Sequence, residues 1–204
     1  MERSENERIA ALHDYEVVRR YELSTQRFDQ YAEMLVRMNY TAPGTKTFDV
    51  LWEKGSGMIQ KRAFRTILEA EADAAKDDMR EQTRINRKNY DFRLLGTEVL
   101  DGRPAYVMEM TPKANRKYQM RGQIWIDMED FAVARIEGTP VGKTSWWLRK
   151  LHMRQDYRKV GRFWLMGTSQ TDSEVRFVGA AHLKIEYLDY EINREQGQRR
   201  AAVS

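Results

Sequence analysis

The 204-residue chain contains no cysteine. Disulfides, thiolate-bound zinc, iron–sulfur clusters and thiol catalysis are therefore excluded. The compartment stays open, because reducing and oxidising environments both tolerate a cysteine-free chain. Histidine is scarce, and His13, His152 and His182 stand far apart without ligand spacing, so no metal site is expected. No apolar run approaches the roughly 20 residues that a membrane-spanning helix needs. The sequence also lacks G-x-S-x-G, G-x-x-x-x-G-K-[ST] and G-x-G-x-x-G. Gly55-Ser56-Gly57 is a lone glycine loop, read as a turn from strand to helix. Asp127, Glu129 and Asp130 cluster in a turn, where acidic residues serve local hydrogen bonding. No nucleophile meets a base, so neither a catalytic residue nor a cofactor is expected.

Charge and apolar content are both ample. Lys and Arg total 35 against 31 Asp and Glu, a mild excess of +4 on a heavily charged surface. Hydrophobic residues at 41% and aromatics at 11% argue for a packed domain and against disorder. A single domain of this length buries roughly 70% of its unfolded-chain surface. Met1 to Asn6 has no apolar core behind its charges and does not read as a secretory signal. Residues 1–192 read as one domain. The polar stretch 193–204, NREQGQRRAAVS, reads as a flexible tail.

After a short helical candidate at Glu5 to His13, the period becomes two. Tyr15, Val17, Arg19, Tyr21 and Leu23 alternate against Glu16, Val18, Arg20 and Glu22. Met34, Val36, Met38 and Tyr40 follow, and after the turn at Thr41 to Gly44 come Phe48, Val50 and Trp52. Met58 to about Arg87 has no Gly or Pro, and Ala63, Ile67, Leu68, Ala70, Ala74 and Met79 recur at spacings of three or four. This predicts one long helix, with Lys76 to Asp78 the place where it would divide. From Tyr90 onward the chain returns to strands joined by short turns, among them Asp101-Gly102, a pair suited to positive φ. About ten sequence-neighbouring strands and one long helical insertion predict an α+β fold: a curled, unclosed antiparallel sheet wrapped around the helix.

Inward alternation places Met34, Met38 and Trp52 on the concave side of the first strands. Met108, Met110, Met120 and Ile124 take that side in the middle strands, and Trp147, Leu151 and Met153 in a later one. Flexible, polarizable methionine suits either ordinary core filling or a cavity that accepts acyl chains. Alternation also turns Arg149 inward, where it needs partners. Glu69 and Glu71 on the helix would supply them and tie helix to sheet. Outward alternation aligns Lys150, His152, Arg154 and Arg158 into a basic row. It reads as a solvated face that would make transient contact with an anionic membrane surface; no nucleic acid is expected as a partner.

Four stretches carry a family resemblance: NYDFRLLGTEVLDGRPAYVMEMTPK (89–113), YQMRGQIWIDMEDFAVARIEG (118–138), GRFWLMGTS (161–169) and LKIEYLDYEIN (183–193). Their strand–turn–strand order and the T-P-K, W-I-D and A-R-I-E strand ends resemble the outer-membrane lipoprotein-sorting family. These are the LolA/LolB-like carriers, to which the N-terminal domain of RseB-type regulators is related. The resemblance implies a LolA-like half-barrel in the periplasm, its leader removed, with helices as a lid over an apolar cavity. It implies a soluble carrier that shields lipid or lipoprotein acyl chains without covalent chemistry. The alternative it implies is a sensory or scaffold domain that binds a protein partner. The sequence departs from the anchored members in having no lipobox cysteine.

Overall fold

The structure, a computed structural model, describes residues 10–26, 30–55, 64–69, 71–72, 81–142, 148–175 and 179–193, with Gln30, Leu148, Arg149 and Val175 described by backbone alone. Ten strands form one antiparallel sheet: β1 Asp14–Thr25, β2 Gln30–Thr41, β3 Thr45–Lys54, β4 Tyr90–Leu100, β5 Arg103–Pro112, β6 Met120–Asp127, β7 Val133–Pro140, β8 Leu148–Val160, β9 Phe163–Val175 and β10 Gly179–Ile192. Their spatial order is β3-β2-β1-β10-β9-β8-β7-β6-β5-β4. Every neighbour in sequence is a neighbour in space except β3 and β4, which are the two free edges. The segment between them therefore runs from one edge of the sheet to the other.

Turn chemistry fixes the hairpins. Asp101 and Gly102 both have positive φ, 50° and 79°, the backbone that matches the twist of a two-residue hairpin. The Asp127 carboxylate accepts the backbone N–H groups of Glu129 and Asp130 and a guanidinium pair from Arg103. That acidic cluster is thus engaged by its own turn and by neighbouring strands, Asp130 also accepting from Lys159 and from Trp164 Nε1. The first and last strands pair along most of their length, from Tyr15 opposite Ile192 to Thr25 opposite Ala181. Asn193, assigned to the tail by its sequence, fastens this seam. Its N–H donates to the Asp14 carbonyl, its Oδ1 accepts from His13 N–H at 2.9 Å, and its Nδ2 donates to the Ala11 carbonyl.

Among the described residues, the long helix expected over Met58 to Arg87 is not present. The described residues of that stretch are helical only at 64–69, 71–72 and 81–83. Two asparagines end the last of these turns. Asn86 Oδ1 accepts the N–H groups of Lys88 and Asn89, and Asn89 Nδ2 donates to the carbonyls of Glu81 and Arg84. Side chains that bond the backbone in this way compete with helix continuation. Phe64, Ile67 and Leu68 pack into one apolar cluster and Ile85 into another.

Gly122 and Gly138 lie opposite each other in the β6–β7 ladder. A Cβ on Gly122 would sit 2.0 Å from the Glu137 carbonyl oxygen, and one on Gly138 2.2 Å from that of Arg121. Both obstacles are backbone, which cannot rotate aside. Gly122→Ala should therefore destabilise the protein by about 3 kcal/mol or more, in the range of severe core overpacking. Gly167→Ala is the comparison, since an added carbon there meets only ordinary van der Waals contacts, the nearest at 3.4 Å. Denaturant melts of the two variants check this, with Gly122→Ala expected to be much the weaker.

Candidate functional site

The concave face carries two apolar clusters. One is built from Val17 and Tyr21 of β1, Met34, Val36 and Met38 of β2, and Ile185 and Tyr187 of β10, with Phe64 laid over them. The other holds Met110 of β5, Met120, Ile124 and Ile126 of β6 and Ile136 of β7, with Met108 and Met153 packed against it. Six of the sequence-predicted methionines thus divide between two ends of one surface: Met34 and Met38 at one, Met108, Met110, Met120 and Met153 at the other. Ile124 belongs to the second end. Leu151 stands apart in a groove of 610 Å³ beside Thr139, Pro140, Lys150 and His152, where β7 and β8 diverge. Trp147 lies outside the described residues.

Trp52 does not share the concave face. Met38 pairs with Phe48 and Val36 with Val50, but a bulge then shifts the register so that Leu35 pairs with Trp52 and Met34 with Glu53. Directly opposed residues of an antiparallel pair share a face. The extra residue therefore sends Trp52 to the outside with Leu35, where it is 42% exposed. Towards the free edges the concave face is uncovered. Val50 on β3 is 50% exposed and Leu94 on β4, opposite the concave Met108, is 58% exposed.

Within the first cluster sits a buried charge. Arg19 of β1 is 1% exposed. Its Nη1 donates to both carboxylate oxygens of Glu71, at 2.8 and 2.7 Å, and to the Tyr21 hydroxyl at 3.1 Å. Lys46 of β3 reaches the same carboxylate at 3.0 Å. The guanidinium lies over the Tyr187 ring, 4.5 Å from its centre. Tyr187 and Tyr190 are three apart and would point to opposite faces of a regular strand. They stack at 6.5 Å because the β1–β10 register slips between Val17 and Arg19. Glu71 thus joins its segment to β1 and β3, while Glu69, the other acid expected in a tie to Arg149, is exposed. The arginine that Glu71 meets is Arg19; the side chain of Arg149 lies outside the described residues. The signal for Arg19 is the alternation of β1 itself, in which it stands between Val17 and Tyr21.

Electrostatics follow the geometry. Burial works against ionising Glu71, but Lys46 and Arg19 outweigh it and hold its carboxyl below the usual range. Burial likewise opposes the charge of Arg19, and Tyr187, Glu71 and Tyr21 together more than restore it. Burial raises Tyr15 and Tyr21 to about 12, so both stay neutral hydroxyls at physiological pH.

On the outer face the basic row is paired off. Lys150 meets Glu174, His152 meets Glu137 and Arg154 meets Asp156, while Arg158 donates to the Tyr187 and Leu188 carbonyls. His182 is engaged by Asp172 at 2.7 Å. Among the described residues no three His, Asp or Glu side chains are grouped to hold a metal ion.

A protein-family model described as an uncharacterized protein matches residues 70–195, more than half of the chain, and the chain belongs to that family. No curated protein matches the sequence. Solved structures similar to it include a domain designated for outer membrane lipoprotein sorting from Vibrio parahaemolyticus, 11% identical at a TM-score of 0.45, with 98% of this chain and 96% of that one covered. A DUF1329 family protein from Desulfovibrio piger is 12% identical at a TM-score of 0.45, covering 94% and 90%. A LolA superfamily protein from Nitrosomonas europaea is 10% identical at a TM-score of 0.43, covering 97% and 95%. The lipoprotein-sorting group that the hairpin sequences resemble is thus among the structural neighbours.

Because the folded-state pKa of Glu71 is depressed, its contribution to stability is present above the ordinary value of 4.5 and is lost as the pH falls through the lowered one. Glu71→Gln should cost about 2–3 kcal/mol at pH 7, the range for hydrogen bonds to charged groups. The variant should also lose stability less steeply on acidification than the parent protein. Chemical denaturation between pH 3 and 7 measures both.

Proposed function

We propose that this protein is a carrier of lipid or lipoprotein acyl chains, seated on the concave face of the open sheet, with no bond made or broken. One observation carries the reading. The apolar surface does not end where the packed clusters end but continues to both free edges, where Val50 and Leu94 are half-exposed and face inward. An exposed apolar surface rimmed by polar residues marks a binding site more often than idle surface. Methionine supplies much of its lining, and its flexible thioether fits chains of varied shape. Each methylene removed from water there would contribute about 0.8 kcal/mol. In this reading the protein works in the periplasm, where acyl chains crossing between membranes need shielding from water.

A second reading, a scaffold domain that binds a protein partner, is favoured by Leu51 and Trp52. Both are exposed on an unpaired edge strand, and Trp52 points away from the concavity, so a partner could add a strand there.

Native mass spectrometry of gently purified protein and titration with a fluorescent fatty-acid probe separate the two. Bound lipid, and a tenfold or greater loss of probe affinity in Leu94→Asp and Val50→Asp, is the expected result. Trp52→Asp should leave that affinity unchanged. A wild-type protein free of lipid and inert to the probe would overturn the carrier reading.

A further inference from the structure

Among the described residues the cluster at Arg19 is unbalanced. Two cations, Arg19 and Lys46, share the single carboxylate of Glu71. Arg19 is almost wholly buried, and its Nε has no hydrogen-bond partner among the described residues. A buried donor left unmade is costly, and so is a buried positive charge in excess. The surroundings do not dilute that charge: Tyr21, Tyr187 and Phe48 enclose the guanidinium with rings, and the neighbouring β2 side chains are Val36 and Met38. Such a place is suited to a second anion. Its shape is already defined, because the Glu71 carboxylate spans Nη1 of Arg19 and Nζ of Lys46 with both oxygens engaged. Arg19 and Lys46 are fixed in paired strands, whereas Glu71 reaches them from the segment that joins the two sheet edges.

We infer that Arg19 and Lys46 form a headgroup site for a single-chain amphiphile ending in a carboxylate, and that Glu71 occupies it in the empty protein as an internal competitor. This rests on the carrier reading: the acyl chain would lie along the methionine-lined concave face, with its carboxylate beside Arg19. Arriving ligand displaces Glu71 from the two cations, so affinity is set by the difference between two carboxylates. A neutral ester or alcohol of the same chain gains no such exchange.

The test compares oleate with methyl oleate, both below micellar concentration at pH 8, by competition against a fluorescent probe on the full chain. The wild type is expected to bind oleate at least fivefold more tightly than the ester. Glu71→Gln, with its competitor removed, is expected to bind oleate tenfold or more tightly than wild type while its ester affinity stays within twofold. Lys46→Met, at a partly exposed position that leaves the core intact, should abolish the acid-over-ester preference. Thermal melts establish that each variant is folded. Equal affinities for acid and ester in the wild type, or an equal gain for both in Glu71→Gln, would overturn the headgroup site and leave Glu71 as a mechanical fastening alone. Failure of every variant to bind either compound would overturn the carrier reading, and the headgroup site with it.

Discussion

The pairing of β1 with β10 is the constraint on which the rest of the architecture depends. Strands β4 to β10 form a simple meander, and β1 to β3 form another. Only the β1–β10 ladder makes them one surface. It places the three N-terminal strands on the far side of the last strand. It thereby leaves β3 and β4, which are successive in the chain, at opposite edges. The segment between them must cross the concave face, and that crossing brings Phe64, Glu71 and Ile85 over the sheet. The same ladder carries the bulge that turns both Tyr187 and Tyr190 toward Arg19. Sheet continuity, the course of the crossing segment and the setting of the buried guanidinium thus have one origin.

The strands were legible because their side chains alternate and their turns are chemically explicit. Asp101-Gly102 announces its hairpin, and Val17, Tyr21, Met34 and Met38 each fall on the face their period assigns. The same rule misplaces Trp52, because a bulge adds one residue to β3 and every later side chain changes face. Nothing in the local sequence of FDVLWE marks that insertion; it arises from the fit of β3 to β2. The crossing segment was misjudged for a related reason. Its composition favours continuous helix, but Asn86 and Asn89 take up backbone groups near its end, and two separate clusters draw on its apolar residues.

The polar tie illustrates how far a pattern reaches. An arginine buried in the sheet needs a carboxylate, and Glu71 meets Arg19. The inward position of Arg19 follows from the alternation of β1, where it stands between the buried Val17 and Tyr21, while the side chain of Arg149 lies outside the described residues. Alternation says which residues are expected to face in, but it does not say which acid a given arginine meets. That choice needs the sheet order, which the long-range β1–β10 pairing sets.

The ladder between the first and last strands also has a kinetic side. His13 and Asn193, joined by a hydrogen bond, are 180 residues apart, whereas each hairpin from β4 to β10 closes over a short turn. Closing a long loop loses more chain entropy before any contact rewards it, and non-local strand pairing slows folding accordingly. The meander can assemble locally, while the seam must wait for the whole chain to be available. A growing polypeptide emerging from its N-terminus would therefore hold β1 to β3 without their permanent neighbour until the final strand arrives.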